Sequence, residues 1–80
     1  MTPKEIAAYY NARIFDSIEA AENSGFIITE TFEPRNVWNK MSAAHTIVNK
    51  LKQRKDETSE IGLVLTPKSI SGCYLPKQSE

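Results

Sequence analysis

NVWNKMSAAHTIVNKLKQRK, residues 36–55, decides how this chain is read. Val37, Met41, Ala44, Val48 and Leu51 recur at steps of four, three, four and three, which is the spacing of one apolar stripe on an α-helix. Trp38 and His45 widen one edge of the stripe and Ile47 the other. An arc that wide predicts a helix lying on a sheet or on another helix. The opposite arc carries Asn39, Ser42, Ala43, Thr46, Asn49, Lys50, Gln53 and Arg54. These are mostly small or amide side chains that compete with the backbone for hydrogen bonds and are mediocre helix formers. An ordinary solvated face is the economical reading of this arc. The sharper reading is a contact face for nucleic acid or protein.

On the N-terminal side of this helix, Phe26-Ile27-Ile28-Thr29-Glu30-Thr31-Phe32 is β-branched and aromatic, and reads as a strand. Its alternation fails at Glu30, so the strand is expected either to end near Thr29 or to carry a bulge. Pro34 closes it. Further back, Thr2-Pro3-Lys4-Glu5 is a helix start, with a capping residue, a first-turn proline and a carboxylate able to reach back. The stripe Ile6, Tyr10, Ile14, Ile18 and Ala21 predicts that this helix runs to about Asn23, with Gly25 ending it in a left-handed conformation. Phe15 falls outside the stripe and is flanked by Asp16, Glu19 and Glu22. Three carboxylates in the C-terminal half of a helix oppose its dipole by a few tenths of a kcal/mol each. An aromatic ringed by acids suits docking of a basic partner; packing of Phe15 under a loop or against the sheet is the plainer alternative.

On the C-terminal side, Asp56 to Glu60 reads as an acidic loop after the basic cluster Lys50, Lys52, Arg54 and Lys55. Cations there complement the helix C-terminus and can pair with the loop acids. Ile61 to Thr66 is a nearly continuous apolar run, expected as a central strand buried on both faces. Pro67-Lys68-Ser69 makes a turn. Ile70 to Leu75 forms a short strand, and Gly72 inside it with Pro76 closing it suits an edge. The expected fold is α+β: one small domain over residues 1–76, order α-β-α-β-β, two helices on one face of a three-stranded sheet, and a disordered tail over 77–80. The first two strands are expected to pair in parallel across the long helix, with an antiparallel arrangement open.

Eighty residues make one domain with a small core. A single cysteine, Cys73, allows no internal disulfide and suits a reducing compartment. The chain shows no leader-like segment and no apolar run of membrane-spanning length, so a cytoplasmic protein is expected. Ten basic and ten acidic residues give zero net charge. That disfavours a general polyanion binder and leaves a homo-oligomer plausible.

Chemistry is sparsely provided for. One His and one Cys make no zinc-type pairing, so no metal is expected. Cys73 with His45 is the one conceivable nucleophile–base dyad, without a second base or an oxyanion loop. The three glycines form no phosphate-binding motif, so no nucleotide cofactor is expected. The carboxylate pairs Asp16 with Glu19, and Glu19 with Glu22, sit on one exposed band. The expected function is therefore non-enzymatic: a docking module acting on another protein as regulator, adaptor or inhibitor, through Phe15, Asp16, Glu19 and Glu22. The alternative is a nucleic-acid-binding regulator using Asn39, Ser42, Thr46, Asn49, Lys50 and Arg54, side chains able to touch base edges and phosphates.

Overall fold

The computed structural model describes residues 2–35 and 37–77, without the side chains of Val37, Trp38 and Lys55. The expected contributions of those three side chains, and residues 78–80 of the expected tail, lie outside the described residues. The described chain runs α1 (Pro3–Tyr9), β1 (Arg13–Phe15), α2 (Ile18–Asn23), β2 (Ile27–Phe32), α3 (Val37–Lys52), a single 3-10 turn (Lys55–Glu57), β3 (Thr58–Leu65) and β4 (Ile70–Pro76). The α+β class holds. The sheet has four strands rather than three, in the order β1-β3-β4-β2.

The largest correction is at the N-terminus, where the expected helix over 2–23 is two short helices with a strand between them. Its start is as expected: the Thr2 hydroxyl accepts from the Glu5 N–H and the Glu5 carboxylate accepts from the Thr2 N–H, both at 3.2 Å. The helix then stops at Asn11, which adopts φ +57. The Asn11 N–H donates to Ala8 O and the Ala12 N–H to Ala7 O, satisfying the last carbonyls of α1 in a left-handed cap. Asparagine tolerates this conformation better than other side-chain-bearing residues. Ser17 starts α2 by accepting from the Ala20 N–H at 3.1 Å. Gly25, at φ +88, ends α2 as expected, with the same pair of back-bonds from Gly25 and Phe26.

The pairing of the strands also departs from expectation. The parallel pair is β1 with β3, in the register Arg13↔Gly62, Ile14↔Leu63 and Phe15↔Val64. β4 is antiparallel to both β3 and β2. β2 and β3 therefore run in the same direction, as the crossover through α3 requires, but β4 is inserted between them. β3 is interior, as its apolar run implied, and it begins at Thr58, inside the stretch read as loop. β4 is interior too, which overturns its reading as an edge. Gly72 leaves room for Ile47 of α3, which lies directly above it. A Cβ at Gly72 would collide with Ile47 and lie 2.9 Å from Thr29 Oγ1. Of the two alternatives for β2, an early end or a bulge, the bulge is the one present: Ile28 pairs with Cys73 and Thr31 with Ser71, so Thr29 and Glu30 together face one residue of β4.

The sheet divides the core into two clusters. On one face α1 and α3 pack side by side, where Ile6, Ala7, Ala44, Ile47, Val48 and Leu51 meet Leu63 and Ile70. Two helices were expected on one face; α3 and α1 are there, but α2, the second half of the expected first helix, lies on the other. On the other face α2 lies over the sheet, with Phe15, Ala21, Phe26, Val64 and Cys73 buried together. Successive residues of β3 and β4 thus feed opposite clusters, which explains why β3 is apolar on both sides. No described helix is long and apolar enough to cross a membrane.

Candidate functional site

The two sets of residues singled out by sequence fall on different parts of the molecule. Phe15 is 7% exposed and belongs to the core. Its ring packs edge-on against Phe26 at 4.9 Å, and the Arg13 guanidinium lies over both rings at 5.2 and 5.5 Å. Phe15 is therefore no surface anchor, which corrects the picture of an exposed ring encircled by acids. The packing alternative is the one observed. Asp16, Glu19 and Glu22 are all exposed. The apolar side chain exposed among them is Ile18, at 39%. Sequence placed Ile18 in the buried stripe, because the helical period was continued across a strand. Two signals mark the break: Asn11 as a left-handed cap, and Ser17 as a second helix start.

The break also changes the electrostatics. Glu19 lies in the first turn of α2 and Asp16 just before its cap, so both favour the helix dipole that they were expected to oppose. α2 presents a compact surface with Ile18 between acids, resting on the Phe15–Phe26 pair.

On the opposite side of the sheet, Asn39, Ser42, Thr46, Asn49 and Lys50 are exposed along α3, and Arg54 is exposed in the turn after it, since the helix expected to reach residue 55 ends at Lys52. The cations at the C-terminal end of this helix and in the turn after it, however, are engaged within the molecule. Lys50 Nζ is 2.9 Å from Glu30 Oε1. Lys52 lies 4.4 Å from the centre of the Tyr10 ring, and the Arg54 guanidinium 5.7 Å from that of Tyr74. Lys50 and Arg54 border a polar cleft of about 580 Å³ that also holds Glu30, Asp56 and Glu57. Two cations against three carboxylates give this cleft no positive excess, and affinity for phosphate backbones needs one. The expected pairing of the basic cluster with the loop acids is not among the described ion pairs; Lys50 pairs instead with Glu30 of β2.

The conceivable Cys–His dyad is not assembled. Cys73 is buried on the α2 side of the sheet, whereas His45 is on α3, with its Nδ1 3.4 Å from the Tyr10 hydroxyl. Burial pushes the Cys73 thiol up to about 11, against a smaller pull downward from Arg13. A protonated, enclosed thiol is a packing group rather than a nucleophile at neutral pH. Among the described residues, no group of three or more His, Cys, Asp or Glu is placed to hold a metal ion. Tyr9, 75% exposed, stands beside Tyr10, Ile6 and His45 at a separate shallow hollow. Compared with known proteins, the chain matches no family model, no characterised protein and no solved structure at a significant level.

Proposed function

We propose that this chain is a non-enzymatic docking module that engages a basic partner protein through α2. One observation carries the reading: Ile18 is 39% exposed between the exposed carboxylates Asp16, Glu19 and Glu22. An apolar contact rimmed by like charges suits a partner that presents an apolar pocket edged by Lys or Arg, because the rim steers encounter and the apolar contact holds the complex. The buried Phe15–Phe26 pair beneath gives the surface a fixed shape, which limits the entropy lost on binding.

The test is capture by the immobilised protein, compared between wild type, Asp16→Lys with Glu19→Lys, and Ile18→Ala. Both variants change exposed side chains, and circular dichroism checks that each is folded. Loss of capture in both, with wild-type capture weakening as salt rises, supports docking through α2. Capture unchanged in both removes α2 from the interface. The nucleic-acid alternative has the shared exposure of Asn39, Ser42, Thr46, Asn49, Lys50 and Arg54 in its favour. It requires that Lys50→Glu with Arg54→Glu abolish retention on DNA, and that wild-type binding fall steeply with salt.

A further inference from the structure

Among the described residues β2 is a sheet edge, with β4 on one side and no strand on the other. It carries two of the exposed large apolar side chains, Ile27 at 46% and Phe32 at 37%. Proline and lysine, which commonly blunt an edge, are absent between Ile27 and Phe32. The bulge at Thr29 and Glu30 and the charge of Glu30 are the protective devices this edge carries. We infer that β2 pairs antiparallel with β2 of a second copy of this chain, about a two-fold axis between Thr29 and Glu30.

The register argues for a second copy in particular. Ile27 pairs with Tyr74 and Phe32 with Ile70, so both side chains point to the α3 face of the sheet. Ile28 pairs with Cys73 and Thr31 with Ser71, so both point to the α2 face. About the proposed axis Ile27 meets Phe32 of the copy, and Ile28 meets its Thr31. Each pair lies on one face, which a shift of one residue would destroy. The extra bulge residue of one strand lies against the extra residue of its copy, so the register continues on both sides. A bulge that would mismatch an unrelated strand is thereby matched by its own image.

The charges are compatible with this arrangement. Glu30 lies at the axis, and each copy neutralises its own Glu30 with Lys50 at 2.9 Å. The product is one continuous sheet of eight strands, four from each copy. A six-residue edge buries less than a standard stable interface, so the dimer is weak and concentration-dependent. This pairing uses the strand rather than α2, and it stands apart from the docking reading.

The test is sedimentation velocity on the wild-type chain from micromolar to millimolar, with hydrogen exchange at both ends of the range. The expected result is a monomer–dimer equilibrium in which backbone protection rises with concentration in β2. Ile27→Lys and Phe32→Lys should each weaken association about tenfold or more, since each change occurs twice across the axis. Mixing Ile27→Lys chains with Phe32→Glu chains should restore it, because Lys and Glu then meet across one pair and Phe and Ile across the other. A monomer at every concentration overturns the proposal. So does a dimer untouched by both lysine substitutions, or one whose added protection lies outside β2. Should a variant fail to fold, the wild-type exchange pattern alone decides.

Discussion

Two residues of β4 set how closely the layers pack. Gly72 lets α3 descend onto the sheet, since a methyl group there would meet Ile47 and Thr29. Gly72→Ala is expected to cost about 2 kcal/mol through overpacking, read as a lower urea midpoint with an unchanged slope. Its neighbour Cys73 points to the other cluster. The thiol is pushed up to about 11 from 9.0, so the folded chain retains this proton where the unfolded chain has lost it. The associated stability is fully present below about pH 9 and is lost as pH rises through 11. The gap in unfolding free energy between wild type and Cys73→Ala should therefore narrow between pH 9 and 11. A gap that is flat with pH would mean that the thiol is solvated. Both residues were visible in the sequence, but their roles were not. A glycine and a cysteine in an apolar strand acquire meaning only from what crosses above them.

At the scale of elements, caps decide where the short helices begin and end. α1 and α2 have seven and six residues, below the length at which a helix persists by itself. Each relies on a side-chain cap at its start and a left-handed residue at its end. Ser17→Ala removes the acceptor for the Ala20 N–H and should cost about 1 kcal/mol, measured by urea unfolding. A neutral result would show that packing of Ala21 alone holds α2 in place. The cap at Thr2 and the stop at Gly25 were legible because their signals stood alone. The cap pair Asn11 and Ser17 was masked by a coincidence: Ile6, Tyr10, Ile14, Ile18 and Ala21 keep a helical period across residues that belong to a helix, a strand and another helix. Phe15 was the large side chain just beside that stripe, and it proves to be core.

For the whole molecule, the order β1-β3-β4-β2 puts the strands last in sequence at the centre of the sheet. β4 is flanked on both sides and covered by α3. β1 has three residues and one strand neighbour. Hydrogen exchange should therefore find the slowest amides in β3 and β4, and earlier opening of β1 with α2. Equal protection throughout would indicate a single cooperative unit. What the sequence by itself determined is local: the α+β class, the stripe of α3, the apolar β3, the β3–β4 turn and the cap at Thr2. Each follows from side-chain period or from a capping group within a few residues. The tertiary structure alone decided that β1 exists, that β4 is interior, that Phe15 is buried while Ile18 is exposed, and that Lys50 pairs with Glu30 twenty positions away. Strand pairing is made between residues distant in the chain. Its energy lies in cross-strand contacts and shared burial, and neither is written in any one segment.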